Sequence, residues 1–146
     1  MHIRLLATLL SLSAPTIMLC GSVEAATEIK GAAILDHPCG KVSVKQMGLI
    51  HTGKIDEANQ LTTKEMQDQW KAMPAKDRTM MSGMMKEMSQ PETQYAADIK
   101  TSGVLVVDGQ VASLTVKKMT KDASGTSTST TTQAFKLNGN ECLVSR

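Results

Sequence analysis

The chain has 146 residues, 41% of them hydrophobic, 21% charged and 2% aromatic, a length suited to one globular domain. Sixteen Lys and Arg against fourteen Asp and Glu leave a net charge of +2. That is too small and too dispersed for the electrostatic footprint of a nucleic-acid binder, so no nucleic-acid partner is expected. With one Trp, one Tyr and one Phe, the core has to be filled by Val, Leu, Ile, Ala and Met.

Arg4 precedes a mostly apolar run from Leu5 to Leu19, and Val23-Glu24-Ala25 offers short residues to a signal peptidase. This pattern predicts a signal peptide over 1–25, a mature domain over 26–146, and a periplasmic or secreted location. The run is broken by Ser11, Ser13 and Pro15 and is too short to span a bilayer, and no integral membrane segment is expected after its removal. Cys20 offers an alternative, a lipid anchor, but the bulky Leu19 before it suits that chemistry poorly. Export permits disulfides, and Cys39 and Cys142 are the pair that remains. A bridge between them closes a loop of about 100 residues and stabilises by roughly 4 kcal/mol in the chain-entropy model. No Cys-x-x-Cys or Cys-His spacing supports a metal site or a reactive thiol instead.

Helical spacing runs from His37 to Ser89 and strand-like alternation from about Tyr95 onward, an order that predicts an α+β fold. Glu28 to Leu35 fits either a short strand or a helical turn. Val44, Met47 and Ile50 predict a helix over about 41–52, stopped by Gly53, with Ile55, Ala58 and Leu61 resuming the period. Thr62-Thr63-Lys64-Glu65 reads as a capping box with Thr62 at the N-cap, flanked by Leu61 and Met66. Met66, Trp70 and Met73 then share a helix face that ends before Pro74, which in turn suits the first turn of another helix. That helix carries Met80, Met81, Met84, Met85 and Met88 as one apolar stripe.

Val104 to Val107, then Asp108-Gly109, then Ala112, Leu114 and Val116 in alternation predict a hairpin, and Asn138-Gly139-Asn140 predicts a second. Reversals are also expected at Ser102-Gly103 and between Lys121 and Thr126. The Ser/Thr tract from Thr126 to Thr132 reads as a strand with a solvated face, continued by Phe135 and Leu137. Asp98 is expected on the solvent side of a strand that also holds Tyr95 and Ile99. Lys117, Lys118, Lys121 and Asp122 read as a solvated strand end.

The segment Val44-x-x-Met47-x-x-Ile50-x-x-Gly53-Lys54-Ile55-Asp56-Glu57-Ala58-x-x-Leu61 resembles the first helical hairpin of the nuclear-transport-factor-two-like, or cystatin-like, superfamily. The later Met73-Pro74-Ala75-Lys76-Asp77-Arg78 helix start and the two hairpins fit the same pattern. The resemblance covers roughly residues 38–145 and is greatest to small exported bacterial members without an assigned activity. It implies N-terminal helices packed on a curved, cone-like antiparallel meander, in a monomer or homodimer.

Enzymes on that fold place acid-base groups inside the cone. This chain offers only Tyr95 as a phenol and two histidines, His37 and His51, at helix edges, so no catalytic residues and no cofactor are expected. Two functional readings stand. The first is an exported non-catalytic binding module, such as a periplasmic inhibitor or immunity-type protein, holding a protein partner with hydroxyls such as those of Thr128, Thr130 and Thr132. The alternative is a Cu(I) or Ag(I) site on Met80, Met81, Met84, Met85 and Met88, since thioethers are soft ligands. A methionine stripe at helical spacing is more often a buried face, and burial in the core is the expectation for these five.

Overall fold

A computed structural model of the protein describes residues 25–123 and 125–146. Residues 1–24, which hold Cys20 and nearly all of the predicted signal peptide, lie outside the described residues. From Thr27 on, the chain forms strand β1 (Thr27–Lys30), a 3-10 turn over Gly31–Asp36, then five helices: α1 (Pro38–His51), α2 (Ile55–Asn59), α3 (Lys64–Ala72), α4 (Ala75–Met88) and α5 (Glu92–Ser102). Four strands follow: β2 (Val104–Asp108), β3 (Val111–Asp122), β4 (Gly125–Asn138) and β5 (Glu141–Val144). The strands lie side by side in chain order and pair antiparallel throughout. The fold is α+β, with the helices inserted between the first and second strands of one open sheet. Both structures allowed for Glu28 to Leu35 occur, a strand and then a 3-10 turn.

Local chemistry sets the helix ends. His37 caps α1: its Nδ1 accepts the Cys39 N–H at 3.2 Å, and Pro38 fills the first turn, where no N–H is needed. Gly53, at φ 78°, takes the left-handed conformation that lets the chain leave α1. A side chain at Gly40 would collide with the Ile34 carbonyl, so this glycine permits α1 to lie against the 3-10 turn. Pro74 and Pro91 stand just before α4 and α5 with extended ψ.

One sheet face is covered. Leu105 on β2, Ala112, Leu114 and Val116 on β3, Phe135 on β4, and Cys142 and Val144 on β5 pack against Ile34, Cys39, Tyr95 and Ile99. The register explains this selection: Leu105 lies opposite Leu114, Ala112 opposite Phe135, and Phe135 opposite Val144. Cys39 and Cys142 are bonded, their Cα atoms 5.1 Å apart, and tie the start of α1 to the last strand. The β5 edge is closed by residues 61–63, where the Thr63 N–H donates to the Val144 carbonyl and the Val144 N–H to the Leu61 carbonyl.

Several expectations are corrected. Tyr95 to Ser102 is helix, and Tyr95 and Ile99 meet the core because they are four positions apart on α5. Asp98 is therefore a half-buried helix residue, accepting from Gln90 Nε2 at 2.8 Å and Gln94 Nε2 at 3.3 Å. Thr62 is not the cap of α3: Thr63 occupies that place, and the Thr62 hydroxyl donates to the Asn59 carbonyl at 2.6 Å. The first hairpin turns at Gly109-Gln110, one residue later than predicted, because Asp108 still pairs with Val111.

The methionine stripe is corrected too. Met80, Met84 and Met88 are 61%, 54% and 84% exposed, Met81 is exposed at 39%, and Met85 is half-buried. Neither α3 nor α4 has a fully buried residue, so the core is built by the 3-10 turn, α1, α5 and the sheet.

Candidate functional site

Two surfaces stand out. The first is an apolar groove of about 190 Å³ among α1, α2, α3 and α4. Gln46, Ile55 and Ala58 form its floor, Met66, Trp70 and Met73 line it from the α3 segment, and Met81 and Met85 line it from α4. The α3 residues sit at i, i+4 and i+7 and the α4 pair at i and i+4, so each helix turns one face inward. Trp70 is held in place by its Nε1–H, which donates to Asp56 Oδ1 at 3.2 Å. Met80, Met84 and Met88 do not line the groove, and the five methionines thus separate into two facing inward and three facing solvent.

Beneath this floor runs a chain of hydrogen bonds that sequence reasoning missed. Ser43 Oγ donates to Gln133 Oε1 at 2.5 Å, which leaves the Tyr95 hydroxyl, 3.2 Å away, to donate to Ser43 Oγ, and Gln133 Nε2 donates to Gln46 Oε1 at 2.5 Å. Gln46 Nε2 ends the series on the Ala58 carbonyl at 3.4 Å. Burial pushes the Tyr95 phenol above its ordinary pKa of 10, so at neutral pH it keeps its proton. Every donor points the same way, which makes the array a structural tie across the core. The signal available in the sequence was Ser43 and Gln46 at i and i+3, on the same side of α1 as Cys39.

The second surface is an arm. The last β2 pairing on β3 is Val104 with Thr115, and the last β5 pairing on β4 is Phe135 with Val144. Beyond Val116 and Thr131 neither strand has a further strand partner among the described residues, out to Asp122 and Gly125, and Lys118 Nζ donates to Gln90 Oε1 at 3.1 Å near the base. At the base, where β2 stops, Ser102 Oγ replaces the missing strand by accepting the Lys117 N–H at 3.0 Å and lying 2.5 Å from the Lys117 carbonyl oxygen. Among the described residues, every side chain assessed from Lys117 to Thr130 is exposed, Met119 included.

The arm carries the predicted Thr128 and Thr130, and the predicted Thr132 lies at its base. With Thr126 they occupy alternate positions on one face, about 7 Å apart along β4. Thr126 pairs with Lys121, Thr128 with Met119, and Thr130 with Lys117, while Thr132 lies opposite Thr115 with their hydroxyls 3.4 Å apart.

The remaining expected residues are dispersed. His37 is engaged as a cap, and burial lowers its pKa below 6.5. His51 Nδ1 lies 3.5 Å from Ser89 Oγ. Among the described residues, no three His, Cys, Asp or Glu side chains gather where they could hold a metal ion. No described helix is long and apolar enough to cross a membrane. No family model, curated protein or solved structure matches the chain.

Proposed function

We propose that the protein is an exported, non-catalytic binding module that holds a protein partner through the β3–β4 arm, as a periplasmic inhibitor or immunity-type protein does. The arm carries this reading. Ordering a residue costs about 1–2 kcal/mol of conformational entropy, and the residues beyond Lys117 recover little of it by burial, since all those assessed are exposed. Threonine favours the extended chain and keeps the arm formed. A paired but uncovered ribbon of this length serves the fold little, whereas it offers a partner two strand edges and a row of hydroxyls.

Charge narrows the partner. Lys117, Lys118 and Lys121 against the single Asp122 make the arm basic within a nearly neutral chain, so the complementary surface is acidic. The helices-then-meander order keeps the chain within the reading of a small exported relative of the nuclear-transport-factor-two-like proteins.

A photo-crosslinking residue placed at Thr128 in producing cells tests the reading, with Lys76 on α4 as the control position. One discrete crosslinked protein from Thr128 and none from Lys76 is the expected outcome. Equal products from both positions, or none from the arm, would refute it.

A further inference from the structure

The groove faces of α3 and α4 carry sulfur in a pattern that the fold does not require. Met66 on α3, Met73 at its C-terminal cap, and Met81 and Met85 on α4 enter one small groove, beside the indole of Trp70. Neither helix has a fully buried residue, so these thioethers line a partly open groove rather than the main core. The groove lining contains no carboxylate, imidazole or thiolate.

That donor set is chemically selective. Thioether sulfur is soft and uncharged, and it binds monovalent d10 ions in preference to hard Mg²⁺ or Ca²⁺ or to Zn²⁺, which draws on thiolate, imidazole or carboxylate. An apolar groove disfavours a doubly charged ion left without a neutralising ligand, and tolerates a single positive charge far better. The face of an indole attracts such a charge. The Trp70 ring is already fixed from outside the groove by Asp56, so its position does not depend on the ion.

We propose that this groove is a binding site for Cu(I) or Ag(I), with ligands drawn from the sulfurs of Met66, Met73, Met81 and Met85 and the ion lying against Trp70. The exposed Met80, Met84 and Met88 are outside the ligand set. The ion joins α3 to α4, two helices that packing alone holds loosely, and it stabilises the folded chain because the unfolded chain does not assemble the four sulfurs. The site is independent of the β3–β4 arm.

The test uses the whole protein with Cys20→Ser, so that thioethers are its only reduced sulfur, titrated with silver nitrate in chloride-free buffer. Trp70 is the only tryptophan, so its emission reports the groove directly. Saturable quenching at one ion per chain is expected, with the same stoichiometry by native mass spectrometry and no response to Zn²⁺. Leucine conserves volume at methionine sites, so Met81→Leu with Met85→Leu should keep the helical circular dichroism and weaken silver binding by about a hundredfold. Met66→Leu, on the other helix, should weaken it as well, while Met80→Leu with Met84→Leu should leave it within about twofold, as distant substitutions do. Absence of saturable binding overturns the proposal. So does an equal loss from the Met80 and Met84 pair, which would move the ion to the outer face of α4.

Discussion

Ser43 on α1 and Gln133 on β4, ninety positions apart in the chain, are joined by a hydrogen bond of 2.5 Å between Ser43 Oγ and Gln133 Oε1. The bond fixes helix against sheet at the point where β4 changes from core strand to exposed arm, because Phe135 is buried and Thr131 is not. It also links the sheet to the groove, through Gln133 and Gln46.

Ser43→Ala should destabilise the protein by about 1–3 kcal/mol in urea denaturation, the range for leaving a buried polar group unpaired. It strands Gln133 Oε1, which has no other donor among the described residues, and the Tyr95 hydroxyl as well. Tyr95→Phe removes only the first donor of the series and should cost less, about 0.5–1.5 kcal/mol. The double variant should cost less than the two single effects added together. A larger loss from Tyr95→Phe would show that the donors do not run in the order described.

Cys39 and Cys142 are 0% and 2% exposed, so a reductant reaches the bond only when the domain opens. Reduction by dithiothreitol should be slow in buffer and accelerate steeply near the urea midpoint. Replacing both cysteines by serine should lower stability by about 4 kcal/mol, the chain-entropy value for a loop of this length. Rapid reduction of the native protein would contradict the packing described for the core.

The His37 pKa is lowered, by burial. A folded-state value below 6.5 means that the unfolded chain binds the proton more tightly. The stabilisation from the neutral cap is complete above pH 6.5 and is lost as pH falls through the folded-state value. Protonation also converts Nδ1 from acceptor to donor and breaks the bond from the Cys39 N–H. His37→Asn retains a cap acceptor without the titration, so its stability should be flatter between pH 7 and 5 while remaining near the native level at pH 7. An unchanged pH slope in that variant would exclude His37 as its source.

How much of this was legible in the sequence differs by element. Both tight hairpins were readable because glycine beside Asn or Asp carries its own turn chemistry, and the Thr tract because alternation continued into Phe135 and Leu137. The α5 segment was not, since Tyr95, Ala97 and Ile99 satisfy a period of two as well as Tyr95 and Ile99 satisfy a period of four. The Thr62 capping motif failed for a long-range reason: residues 61–63 pair with Val144 at the β5 edge, which moves the helix start one residue on. The methionine stripe has the same width whether it faces core or water, so its exposure could not be read from spacing. The disulfide was readable from the cysteine count once export was expected, whereas the Ser43, Gln46 and Gln133 series depends on three elements meeting in space.

The arm gives the most direct test of the account. Replacing Lys118 to Ser129 by Asn-Gly closes the hairpin between Lys117 and Thr130, which already pair, with a turn suited to that geometry. The shortened protein should keep its circular dichroism, its disulfide and its urea midpoint, because no assessed side chain in the removed segment is buried. Its affinity for the protein captured through Thr128, measured by calorimetry against the intact chain, should fall by about thirtyfold or more, the loss of a hot spot worth about 2 kcal/mol. An affinity unchanged by the deletion would contradict the claim that the arm is what this protein uses to bind.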